Sequence, residues 1–209
     1  MFEKIENVVF DLGGVLVDID LERCREAFRR IGMPQMAAFI DAYHPAAMIG
    51  RMEAGELSVH ETCDEIRRLT GRTEATDEAI AGAYTEIITG IPAAKIRQVA
   101  ALRRRGVHTY VLSNNNPASM ALIRAAFERE GLPMEECFER MYLSYEMKLL
   151  KPSEEIFRAM IADSGMQPGR TLFIDDSEKN VATARGLGFA VYCPAPGEDF
   201  GPLLDEVGR

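Results

Sequence analysis

The chain has 209 residues, 47% hydrophobic and 27% charged, with 33 acidic against 24 basic side chains and a formal net charge of −9. That length can bury one core, or one core plus a small inserted domain, and the composition is that of an ordinary soluble globular protein. The acidic balance disfavours nucleic acid and anionic membranes as partners, but not a small anionic ligand, because a metal and one lysine can reverse the local field.

The N-terminus carries charges and then a short apolar run. The run is too short for a signal peptide or a membrane span, and no stretch elsewhere approaches about 18 apolar residues, so the expected compartment is the cytoplasm. The run itself, residues 7–10, is β-branched and aromatic and ends at Asp11 and a Gly-Gly pair, which predicts a buried strand and a tight loop. From about 20 to 90 the pattern is helical, at 21–31, 35–43, 59–69 and 77–89, with no convincing strand. It predicts an all-helical insertion; the alternative is that the stretch belongs to the main core. Beyond it, helices are predicted at 95–105, 117–130, 152–162 and 178–187. Strands are predicted at 108–112, 171–174 and 189–192, with a weaker one at 140–143. Gly106 is a plausible cap for the first of these helices, and Pro-Ser followed by two Glu opens the third. Strands alternating with helices predict an α/β fold built on a doubly wound parallel sheet, residues 1–19 and 91–209, interrupted by the helical unit 20–90. The tail from 194 to 209 suggests no chemistry.

Cys24, Cys63, Cys137 and Cys193 are widely spaced with no CxxC pair, which predicts buried free thiols rather than a zinc site or disulfides. His44, His60 and His108 are isolated and read as surface or packing residues. Nothing in the sequence signals an oligomeric state.

Four polar clusters fall where strands end: Asp11, Ser113-Asn114, Lys151 and Asp175-Asp176. Each has an ordinary explanation alone, as a cap, a turn or a solvated loop. Together they converge on the crevice where open α/β sheets bind ligands. Three carboxylates suit a hard cation such as Mg²⁺, which keeps several waters and needs few protein ligands. The Ser113 hydroxyl and N–H groups at a helix start can hold phosphate oxygens, Lys151 supplies a compact positive charge, and a carboxylate nucleophile divides one hard displacement into two.

Phe-Asp-Leu-Gly-Gly-Val-Leu (10–16), Val-Leu-Ser-Asn (111–114), Lys-Pro (151–152) and Phe-Ile-Asp-Asp-Ser-Glu-Lys-Asn (173–180) resemble, in order, the four motifs of the haloacid dehalogenase superfamily. The resemblance implies a Rossmann-like core with a helical cap between the first two motifs. It makes Asp11 the nucleophile and a metal ligand, and Gly13 a metal ligand through its backbone carbonyl. It gives Ser113 and Asn114 to the phosphoryl group and Lys151 to charge stabilisation. Asp176 becomes a direct ligand to Mg²⁺, Asp175 a ligand directly or through water, and Asn180, one helical turn on, a support for Asp176. The implied function is a Mg²⁺-dependent phosphatase of small phosphorylated metabolites working through an aspartyl-phosphate. The alternatives are a catalytically weak binding or regulatory member and a 2-haloacid dehalogenase, which would gain nothing from the Asp175-Asp176 pair.

Most phosphatases of this superfamily carry an acid–base Asp two residues after the nucleophile. Here that position is Gly13, which can move no proton. This departure, with Met-Glu-Ala-Gly-Glu-Leu-Ser (52–58), is similar to the bacterial glucose-1-phosphate phosphatase branch. It predicts a preference for good leaving groups such as sugar 1-phosphates. Asp18 or Asp20 is a possible replacement acid, though both read better as helix caps. Tyr43, His44, Arg51 and Glu53 are the cap residues to inspect for substrate contact, and Met48 and Met52 read as packing.

Overall fold

The computed structural model describes residues 5–40 and 47–208. In chain order its first elements are β1 (Asn7–Phe10), β2 (Asp18–Ile19), α1 (Leu21–Arg30), α2 (Ala47–Glu53), α3 (Val59–Thr70), α4 (Asp77–Thr85) and β3 (Ile88–Gly90). Next come α5 (Ala93–Arg104), β4 (His108–Ser113), α6 (Pro117–Arg129), α7 (Met134–Cys137), β5 (Arg140–Leu143) and α8 (Ser144–Met147). The chain closes with α9 (Glu154–Ser164), β6 (Thr171–Ile174), α10 (Glu178–Gly186), β7 (Ala190–Tyr192) and α11 (Gly201–Asp205).

Five strands form one parallel sheet in the order β5-β4-β1-β6-β7. Strand direction of travel reverses at β1, the switch point at which open α/β sheets leave a crevice. β1 is central and buried on both faces, as a continuous apolar run in a parallel sheet should be. Its side chains alternate with period two. Val8 and Phe10 join a cluster with Ile96, Val99, Phe127 and Phe138, whereas Val9 faces Phe157, Met160, Phe173 and Phe189. In the second layer Phe157 meets Phe173 edge-on with centroids 5.3 Å apart. Fully burying such a side chain contributes about 1.5–3 kcal/mol.

The helices α1–α4 surround a third apolar cluster of their own, including Phe28, Met33, Met36, Ile49, Met52, Ile66 and Ile80. Their entries are capped locally: Asp20 accepts from Glu22 N–H at 2.8 Å, Ser58 and Glu61 form a capping box, and Thr76 accepts from Ala79 N–H. Each such cap contributes about 1 kcal/mol. The segment docks through α2 on α8 and α4 on α6.

Three details differ from the sequence expectation. The 77–89 helix stops at Thr85, and β-branched Ile88 pairs antiparallel with Ile19, so a short β2–β3 ribbon stands at the base of the helical segment. Pro92 lies two residues beyond this strand and bars any helical continuation. α2, α7, α8 and α11 were not anticipated, because four to seven residues are too few to show a helical period. The expected 35–43 helix is a 3₁₀ turn at Pro34–Ala38, and its end, with Tyr43 and His44, lies outside the described residues. All four cysteines are free; Cys24, Cys63 and Cys137 are buried and Cys193 is half-buried. Among the described residues no helix is long and apolar enough to cross a membrane.

Candidate active site

The strand register assembles the site. Phe10 pairs with Ile174 in β6, and Asp11 N–H donates to the Ile174 carbonyl at 2.9 Å, so Asp11 and Asp175 leave the sheet side by side. Oxygens of Asp11, Asp175 and Asp176 lie within 4.8 Å of one another. Lys151, fully buried, bridges two of them: its Nζ is 3.0 Å from Asp11 Oδ1 and 2.5 Å from Asp175 Oδ2. Asp175 is saturated further, accepting from Ser177 N–H at 2.9 Å and from Asn180 Nδ2 at 2.9 and 3.1 Å. The Asn180 amide therefore supports Asp175, not Asp176 as the motif spacing implied. No ion pair to Asp176 is present among the described residues. Asp176 packs against Gly14, where a Cβ would fall 2.1 Å from Asp176 Oδ2 at a left-handed φ of +71°. The Gly-Gly pair is thus what lets the second carboxylate in.

The Ser-Asn-Asn-Asn-Pro stretch builds the other wall. Asn114 clamps the backbone of Lys151 from both sides: its Nδ2 donates to Lys151 O and its Oδ1 accepts from Lys151 N–H, each at 2.9 Å. Its side chain is committed to positioning the lysine. Asn116 caps α6 through Ser119 N–H at 3.0 Å. Ser113 is buried at the end of β4, with its hydroxyl close enough to Asp11 to lower that carboxyl's pKa.

Electrostatics match this crowding. Burial pushes Asp11 up to about 7; Lys151 pulls it down, and Asp175 and Asp176 push it up again. Burial also raises Asp176, with Asp175 adding to it. Burial alone would lower Lys151, but the attraction of Asp11 and Asp175 outweighs it and the net shift is upward. Three carboxylates with one lysine among them are a self-repelling hard-oxygen donor set that a divalent cation relieves, so the residues fit Mg²⁺.

A cleft of about 320 Å³ opens above, with Asp11, Gly13, Asn114, Lys151, Asp176 and Lys179 on the sheet side. The helical segment contributes a mainly apolar wall, including Phe39, Ile40, Ile49 and Ile87, broken by Glu53 and Tyr84. The Tyr84 hydroxyl donates to Glu53 Oε1 at 3.2 Å. Burial pushes Glu53 up to about 7; the Tyr84 bond opposes this, the Asp11 charge adds to it, and Lys151 opposes it. Tyr84 escaped the sequence reading, because a tyrosine one turn from buried Ile80 looks like core. Arg51 is turned outward, paired with Glu65 at 2.8 Å and Glu56 at 3.3 Å. Asp20 caps α1, and Asp18 pairs with Lys95 at 3.1 Å. Met52 is buried and Met48 packs beside it.

A helical segment facing carboxylates across the switch point of a parallel sheet is the layout of an α/β enzyme. Residues 5–188 match the model of the haloacid dehalogenase-like hydrolases, and the chain belongs to that family. It is 36% identical over 204 residues to a D-ribitol-5-phosphate phosphatase of Bacteroides thetaiotaomicron, covering 97% of this chain and 98% of that one. A family enzyme of the same organism, solved in complex with magnesium and inorganic phosphate, superposes with a TM-score of 0.89 at 37% identity, over 95% of this chain and 98% of that one. An L-2-haloacid dehalogenase from Xanthobacter autotrophicus, 18% identical with a TM-score of 0.56 over 90% of this chain and 76% of that one, shares the fold alone.

Proposed function

We propose that the protein is a Mg²⁺-dependent phosphatase of small polyhydroxylated phosphate esters, sugar or alditol phosphates. In this reading residues 1–19 and 91–209 are the catalytic core and 20–90 the cap. The observation that carries it is the meeting of Asp11, Lys151, Asp175 and Asp176 at one end of the sheet, inside a cleft covered by the helical segment.

Asp11 attacks phosphorus in line and becomes an aspartyl-phosphate, which water then hydrolyses. Lys151 favours the ionised Asp11 carboxylate against the effect of burial and balances charge on the phosphoryl group, held in place by Asn114. The Ser113 hydroxyl and the N–H groups that follow β4 receive phosphoryl oxygens. Asp11, Asp176 and the Gly13 carbonyl would hold Mg²⁺, with Asp175 direct or through water, and the ion would neutralise phosphate charge. The magnesium and phosphate named for the Bacteroides enzyme support this choice of ion.

Gly13 divides the substrate reading in two. With no proton donor the enzyme favours acidic leaving groups, hence sugar 1-phosphates. With a donor elsewhere in the cleft it also cleaves esters of ordinary alcohols. The relative's substrate, D-ribitol 5-phosphate, is an ester of a primary alcohol and favours the second. The test is a phosphorylated-metabolite panel including p-nitrophenyl phosphate, with Mg²⁺ or EDTA. Turnover that EDTA abolishes, and that Asp11→Asn lowers by about 10⁴-fold or more, is expected. Turnover that survives Asp11→Asn contradicts the reading.

A further inference from the structure

The cleft contains one acid that the scheme above leaves idle. Among its described lining residues the carboxylates are Asp11, Asp176 and Glu53. The first two belong to the cluster at the sheet edge. Glu53 stands on the helical wall, at the end of α2, close enough for the charges of Asp11 and Lys151 to act on it. The two other candidates for a missing acid are occupied outside the cleft: Asp18 by Lys95 and Asp20 by the cap of α1. His60 and His108 pair with Asp77 and Glu139, away from the cleft.

Glu53 is also held in position. Tyr84 fixes its carboxyl from α4. Gly55, two residues on, lies against the Tyr145 carbonyl of the core, where a Cβ would come within 2.2 Å at a φ of +69°. Met52, the preceding residue, is anchored in the apolar cluster of the helical segment. The turn after α2 is therefore pinned between the two halves of the molecule, with Glu53 facing inward.

We propose that Glu53 is the acid–base catalyst of this phosphatase, supplied by the helical segment in place of the absent side chain at Gly13; the proposal rests on the phosphatase reading above. In the first step the Asp11 oxygen bonds to phosphorus and the phosphorus–ester oxygen bond breaks. The electron pair stays on the ester oxygen, which takes the Glu53 proton and departs as neutral alcohol. In the second step water attacks the phosphorus of the aspartyl-phosphate. Its proton passes to the Glu53 carboxylate, the bond to Asp11 breaks, and orthophosphate leaves with both carboxyl groups restored. The neighbours of Glu53 suit both roles. Burial among the apolar wall favours its protonated form, with Asp11 acting in the same sense; Lys151 favours the ionised form, and Tyr84, which holds its own proton to well above pH 10, can donate to that form.

The experiment compares leaving groups. p-Nitrophenolate departs without a proton, whereas an alkoxide does not. Glu53→Gln keeps the shape and the bond from Tyr84, and its first-turnover burst of p-nitrophenol reports that it has folded. At saturating Mg²⁺, single-turnover release of the alcohol from D-ribitol 5-phosphate, or from the best alkyl phosphate of the panel, is expected to slow by about 10²-fold or more, whereas the single-turnover burst of p-nitrophenol, which precedes the water step, is expected to slow by less than about tenfold. Adding Gly13→Asp to this variant is expected to recover alkyl turnover, because a Cβ at Gly13 meets only Ile19 methyls at 3.9 and 4.0 Å. An equal slowing of the two single-turnover release steps, or no slowing of either, overturns the assignment of Glu53 and leaves the phosphatase standing. Wild-type protein inert on both overturns the two together.

Discussion

The sheet edge and the helical segment face one another across a single cleft, yet they treat charge in opposite ways. At the edge, Lys151, Asp11 and Asp175 are buried and bonded to one another, with Asn114 and Asn180 locking them in place. Such a cluster is weak evidence for stability, since desolvation consumes much of the attraction. In the helical segment the charges lie outside, in exposed pairs such as Arg29–Glu22 and Arg51–Glu65, worth little each, while an apolar cluster supplies the packing. Among the described residues only Glu53 and Tyr84 carry polarity from that segment into the cleft. One half of the site is thus a fixed charge assembly. The other is an ordinary helical unit that turns two polar side chains into the cleft from an apolar wall.

The sharpest way to break this contrast is to remove the buried cation. Lys151→Met leaves Asp11 and Asp175 facing one another unpaired. Denaturation in EDTA is expected to show a loss of about 3–5 kcal/mol, with turnover down by far more than that folding defect explains. Cutting a pair in the helical segment, with Arg51→Ala, is expected to cost under about 1 kcal/mol in the same assay. Equal losses would erase the distinction. Gly14→Ala comes next. Its left-handed φ costs about 1–2 kcal/mol, and its new methyl displaces Asp176. The Mg²⁺ concentration for half-maximal activity is expected to rise about 10–100-fold, and an unshifted titration would remove Asp176 from the cation site. Gly55→Ala strikes the opposite wall, at Tyr145. It is expected to change KM and kcat together by about tenfold while leaving the Mg²⁺ requirement alone.

The same contrast explains what the sequence revealed. The edge was legible because Asp11 and Asp175-Asp176 directly follow short buried strands, and parallel strands bring such residues to one end. Lys151 reaches the same end from the half-buried β5 by way of α8, so the Lys-Pro motif pointed to it more clearly than the strand did. What the sequence could not resolve was the pairing within the edge. Asn180 follows both Asp175 and Asp176 at distances compatible with one helical turn, and only the register of α10 directs its amide to Asp175. The double clamp of Asn114 on Lys151 joins residues 37 apart in sequence and has no local signature. In the helical segment, Glu53 stood out only as one of four polar residues. Arg51, two positions away, was an equal candidate until the docking of α2 turned one inward and the other out. The β2–β3 ribbon was hidden because two- and three-residue strands show no alternation.

The smallest expected effect separates the two walls by their response to pH. Glu53 titrates near 7 in the folded protein and near 4.5 as an ordinary glutamate. Between those values the folded chain holds a proton that the unfolded chain has released. Its contribution to stability is therefore full below about pH 4.5 and is lost as pH rises through about 7. Asp11, also raised to about 7, follows the same course, so the falling stability of the wild type does not isolate either group. Glu53→Gln cannot titrate, whereas Asp11 is present in both proteins and largely cancels in their difference. Melting temperatures in EDTA at pH 5, 6, 7 and 8 are expected to show the wild type losing ground to the variant across this range, by about 2–4 °C for each kcal/mol involved, and no further change above pH 8. A difference that stays constant would mean that the Glu53 carboxyl is solvated like that of Glu56 on the outer surface. The inward wall would then be electrostatically no different from the rest of the helical segment.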